Sequence, residues 1–152
     1  MKFSKKILPE QKIIGIATRA DNSAEGMKKI GELWQKFYGE EILARIPGKL
    51  SEEIFAVYTD YEKDYTKPYT LIIGAKVSNN VKTPQTMFEH IMPKQEYAVF
   101  AAKGLMPKAI IGVWNEIWAS NIKRKYSSDF EFYNEKSNQG DNSEVQIYIA
   151  IE

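Results

Sequence analysis

The same succession of secondary-structure signals occurs twice in this chain, and that duplication restricts the folds open to it more than any other feature. Residues 12–18 form a short apolar run rich in β-branched side chains, the pattern of a strand. Asp21, Asn22 and Ser23 then supply helix-start chemistry, and Met27, Ile30, Leu33, Trp34 and Phe37 recur at helical spacing over residues 24–39. Residues 54–58 and 69–77 read as two further strands around a polar hairpin loop at 60–68. A connection is predicted over residues 79–94, which contain Pro84 and Pro93. The order then returns: a strand at 96–102, a helix carrying Ile110, Ile111, Trp114, Ile117 and Trp118, and strands at 129–134 and 145–151.

The match is also local. Leu33 and Trp34 align with Val113 and Trp114, and Phe55, Ala56, Val57 and Tyr58 align with Phe130, Glu131, Phe132 and Tyr133. Either half alone has too little core to be stable, so the two are expected to pack about a pseudo-twofold axis. The predicted fold class is α+β: a duplicated βαββ unit with antiparallel half-sheets and two main helices flanking a central cleft. The halves are expected at 11–78 and 95–152 of a single domain spanning 1–152.

Glu131 stands out against this pattern. Strand side chains alternate, so Phe130 and Phe132 take one face while Glu131 and Tyr133 take the other. An acid between aromatics is either solvated or costly to bury, and a buried acid among rings is what a lipophilic cation seeks. In the repeat Glu131 takes the place of Ala56, which suggests a cleft on the axis with one charged wall. Tyr58 and Tyr133 lie opposite the phenylalanine face and are candidate cleft walls. Tyr148 shares a face with Gln146 and Ala150 and is expected to look the same way as Glu131. Trp114 and Trp118 share a helix face, so one is expected against the sheet and the other, Trp114 by preference, in the cleft. Tyr61, Tyr65 and Tyr69 read as hairpin packing that can lid the cleft.

Composition removes several function classes. Lys and Arg number 21 against 20 Asp and Glu, and the longest basic run, residues 122–125, reads as the end of a helix, so nucleic-acid binding is not expected. There is no cysteine, and the single histidine, His90, falls in the predicted connection, so neither a metal site nor a cofactor is expected. No run approaches the ~20 apolar residues of a membrane helix, and the N-terminus lacks a secretory apolar segment. A cytoplasmic protein is the expectation.

The second half resembles the gyrase-inhibitor-like (GyrI-like) effector-binding domains, which serve AraC- and MerR-type bacterial transcription activators as ligand sensors and also occur alone. The resemblance is carried by residues 96–100 with Gly104, by Val113, Trp114, Ile117 and Trp118, by residues 130–133, and by residues 145–151. It implies a ligand cleft between two βαββ halves. It also implies multidrug binding, in which the acid of the Phe-Glu-x-Tyr strand, here Glu131, is the counter-charge for cationic aromatic compounds. Tyr58, Tyr133, Tyr148, Trp114 and Trp118 fall at positions that would line it. With a strand beginning near residue 12, no room is expected for a helix-turn-helix segment, so the expected form is a stand-alone effector binder. Two alternatives come with the family: hydrolysis of strained cyclopropane-type toxins by Glu131 and a tyrosine, or an interaction module docking a regulator or DNA gyrase. Without a further nucleophile or metal constellation, binding is favoured over catalysis.

Overall fold

The apolar stripes and β-branched runs become elements close to their expected bounds. The computed structural model describes residues 2–152. In chain order these are β1 (Ser4–Leu8), β2 (Gln11–Ala20), α1 (Ala24–Gly39), α2 (Ile42–Arg45), β3 (Ile54–Thr59), β4 (Tyr69–Val77), β5 (Phe88–Met92), β6 (Gln95–Lys103), α3 (Lys108–Ala119), β7 (Ser128–Tyr133) and β8 (Glu144–Ala150). Ser23 caps α1 by accepting from the Gly26 N–H at 3.1 Å, and Leu33 and Phe37 bury the stripe behind it.

The two expected half-sheets are one sheet. All eight strands are antiparallel, in the order β1-β6-β8-β7-β3-β4-β2-β5. The join is the β3–β7 ladder, and at its middle Ala56 faces Glu131 directly. The expected connection at 79–94 also needs correction, because it contains strand β5, and His90 lies within that strand. β5 pairs with β2 of the first half, while β1 pairs with β6 of the second. Each half thus sends an arm across to extend the other.

The sheet curls. β5 and β7 are four places apart in strand order, yet His90 Nε2 and Ser128 Oγ are 2.8 Å apart. The inner face of the curl is a core of Ile13, Phe55, Val57, Met92, Tyr97 and Phe130. On the outer face α1 packs over Ile14, Ile16, Leu71 and Ile73, and α3 over Phe100, Val145, Ile147 and Ile149. Both faces of the sheet are therefore buried. Gly15 and Gly74 oppose each other in the β2–β4 ladder, where a Cβ on Gly15 would sit 2.1 Å from the Ile73 carbonyl oxygen. That close backbone approach admits only glycine.

A carboxylate among rings at the molecular axis

Glu131 projects from the centre of β7 onto the helix-covered face, where it is 4% exposed. Two residues beyond the central Ala56–Glu131 pair on each strand stand Tyr58 and Tyr133, symmetry-related positions on one face. Both point their hydroxyls at the single acid. Tyr58 Oη donates to Oε2 at 2.9 Å, and Tyr133 Oη donates to Oε1 at 2.7 Å. From α3, Trp114 Nε1 donates to Oε2 at 2.7 Å. No lysine, arginine or histidine among the described residues bonds to Glu131. Burial pushes its pKa up, against the pull of the bonds from Tyr133, Trp114 and Tyr58. Burial and the neighbouring carboxylate also drive the Tyr58 and Tyr133 hydroxyls well above the usual phenol range, so both remain donors.

The carboxylate opens into a cavity of about 600 Å³ between α1 and α3. Trp34 meets Tyr133 edge-on at 5.2 Å between ring centroids, and Tyr58 meets Trp114 in the same manner at 5.3 Å. Trp118 lines the wall and stacks on Tyr65, with centroids 5.8 Å apart and planes 9° apart. Met27 on α1 and Ile111 on α3 line the same cavity yet are 43% and 54% exposed, which marks its mouth between the helices. The β3–β4 loop crosses that mouth: the Tyr65 carbonyl accepts from Asn22 Nδ2 at 2.8 Å while its ring lies on Trp118. Tyr61 and Tyr69 line the cavity as well.

A groove of about 810 Å³ shares Tyr133 with this cavity and is lined by Tyr38, Glu52, Glu53 and Glu135 among others. Glu52 and Glu135 there are exposed, so that groove presents solvated charge rather than a buried one.

Tyr58, Tyr133, Trp114 and Trp118 thus share one cavity with Glu131. Tyr148 does not. It is paired with Phe130 in the β7–β8 ladder, so it shares the face of Phe130 and stacks on that ring at 4.4 Å, opposite to Glu131. The residue facing Glu131 on β8 is Ile147. The alignment of Trp34 with Trp114 is also corrected. The caps Ser23 and Pro107 are separated by the same number of positions as the strand starts Gln11 and Gln95. That register makes Trp34 the counterpart of Trp118 and leaves Ile30 opposite Trp114.

One participant lay outside the expectations. α3 ends at Ala119, and Arg124 turns inward from the segment after it, with its side chain 4% exposed. It pairs with the fully buried Asp129 at 2.7 Å and lines the cavity. Asp129 also accepts from Tyr61 Oη at 2.6 Å and from the Ala150 N–H at 2.7 Å.

Comparisons with known proteins place the fold and the family. The structure of SAV2435 bound to tetraphenylphosphonium superposes with a TM-score of 0.83, covering 100% of this chain and 94% of that one at 19% identity, a likeness of fold. An integron cassette protein from the mobile metagenome of Vibrio cholerae is 27% identical, with a TM-score of 0.72 over 99% of this chain and 95% of its own. YobU of Bacillus subtilis (strain 168) is 25% identical over 93% of this chain and 92% of its own length. The sequence model of one family, described as Cass2, integron-associated effector binding protein, matches residues 6–151. The chain belongs to that effector-binding family.

Proposed function

We propose that this chain is a receptor for lipophilic aromatic cations, which enter between α1 and α3 and are balanced by Glu131. The observation that carries this reading is the solvation of that carboxylate: three neutral donors and, among the described residues, no cation bonded to it, inside a largely aromatic cavity. Neutral hydrogen bonds hold the charged form in place without cancelling its charge. A bound cation supplies the missing compensation, and the faces of Trp34, Tyr58, Trp114 and Tyr133 add ring attraction and apolar area. The compound bound to the structural neighbour SAV2435, tetraphenylphosphonium, is of this class and supports the reading. Selection for positive charge then falls to Glu131, and shape selection to the rings.

The test is calorimetric titration of tetraphenylphosphonium beside triphenylphosphine oxide, a neutral compound with similar rings. The cation is expected to bind at least about tenfold more tightly, a preference worth ~1.4 kcal/mol. Glu131→Gln is expected to erase that preference. Equal binding of the two compounds by the wild type, or an unchanged preference in Glu131→Gln, removes the reading.

A further inference from the structure

The cavity has a second polar corner, and it is basic. Arg124 lines the same space as Glu131, with its guanidinium buried. Asp129 and Tyr61 engage Nη2 only, at 2.7 and 3.4 Å. Nε and Nη1 are buried and have no hydrogen-bond partner among the described residues. Unmet donors on a buried charged group are uncommon, because each forfeits its bond to water without replacement. What surrounds the group is aromatic and offers no acceptor to those two nitrogens: the rings of Tyr126, Tyr61 and Trp114 stand 4.3, 5.9 and 5.9 Å from the guanidinium carbon, and Tyr126 is only partly buried.

Trp114 sets the spacing between the two corners. Its indole nitrogen bonds Glu131, and its ring stands 5.9 Å from the Arg124 guanidinium carbon. The acid and the base therefore flank one indole, on one wall of one cavity.

The geometry points to a ligand with two poles: a cationic centre held at Glu131 and, across the width of an indole, an oxygen acceptor held by the free N–H groups of Arg124. The class is aromatic cations bearing a carboxylate or carbonyl group, zwitterions included. This deepens the cation-receptor reading and rests on it. Asp129 offsets the charge of Arg124, so an ester or ketone oxygen is accommodated as well as a carboxylate. The planar guanidinium presents its donors in a fixed fork, which selects oxygen acceptors by direction and not by charge alone.

The probes are tetraphenylphosphonium, (4-carboxyphenyl)triphenylphosphonium and the methyl ester of the latter, titrated into the full chain. A carboxylate facing only Glu131 would bind far more weakly than the parent cation. With Arg124 engaged, the carboxylate and ester are each expected to match or exceed the parent. In the double variant Arg124→Met/Asp129→Asn, which removes both buried charges together, the affinity ratio of carboxylate to parent is expected to fall at least tenfold. An ester ratio that falls while the carboxylate ratio does not would assign the corner to carbonyl groups. Carboxylate and ester both at least tenfold weaker than the parent in wild type would overturn the inference while leaving the cation reading intact. An unchanged pair of ratios in the double variant would do the same. Failure of the parent cation to bind overturns the cation reading and this inference with it. If the double variant does not fold, the wild-type series alone decides.

Discussion

Asp129 and Glu131 leave β7 on the same face, two residues apart and both buried, yet their electrostatic settings are opposite. Asp129 has a cation within 2.7 Å and a backbone N–H at the same distance, so its charge is answered by the protein itself. Among the described residues, Glu131 has only phenol and indole donors. The difference teaches that burial alone does not mark a receptor site. A buried acid with its own arginine is answered within the scaffold, and one without a cation leaves the charge that the proposed ligand would answer. The desolvation cost is similar at both positions, and only at Glu131 is the compensation incomplete.

The harshest way to test this contrast is Asp129→Ala. It leaves Arg124 buried and unpaired, and it should cost about 3–5 kcal/mol of stability in urea unfolding, the usual penalty for breaking a buried ion pair. The matching change Glu131→Gln removes a charge that has no partner. Its stability is expected to stay within about 1 kcal/mol of wild type, because no buried counter-ion is stranded. Comparable losses from the two substitutions would end the distinction.

A pH series sharpens it. Burial raises the folded-state pKa of Glu131 above its unfolded value. The stability contributed by this group is therefore complete below the ordinary carboxylate range and is lost as pH rises through the raised value. Wild type should lose ground to Glu131→Gln across that window. Affinity for tetraphenylphosphonium should rise over the same window, with a proton released on binding that differing buffer ionisation heats will reveal. A flat affinity profile would show that the carboxylate is already fully charged at the low end.

Smaller effects follow from the donors. Tyr58→Phe or Tyr133→Phe removes one hydrogen bond to the charged form, about 1 kcal/mol, and should weaken the cation several-fold while moving the pH profile upward. Tyr148→Phe should leave affinity within about twofold, because that ring belongs to the opposite core and its hydroxyl donates to Gln146. A larger change would return Tyr148 to the site.

Much of this was readable from the sequence, and the exceptions have physical causes. The βαββ order was visible because helical stripes and β-branched runs report burial directly. Glu131, Tyr58 and Tyr133 stood out as a polar interruption of a strand repeated at Phe55–Tyr58. Tyr148 was misplaced because both faces of this sheet are covered, so alternation separates two faces without saying which holds the cavity. Only the pairing of Phe130 with Tyr148 decides that. The tryptophans were misaligned because local similarity in a helix survives a slip of one turn.

The crossed arms escaped notice because their side chains are largely exposed and carry no apolar pattern. A signal did exist: Ile7-Leu8-Pro9-Glu10-Gln11 recurs as Ile91-Met92-Pro93-Lys94-Gln95. Arg124 left no trace, since a basic run looks the same whether it meets solvent or a buried aspartate five residues on.

Those arms also decide how such a receptor can move. With β1 laced onto the second half, β5 onto the first, and the β3–β7 ladder between them, the two halves cannot swing apart like a clam without tearing three strand pairings at once. The floor beneath a guest is stiff. Adjustment falls to the roof, the two long helices and the tyrosine-bearing strap across them, so any message that a guest conveys would leave through that outer layer.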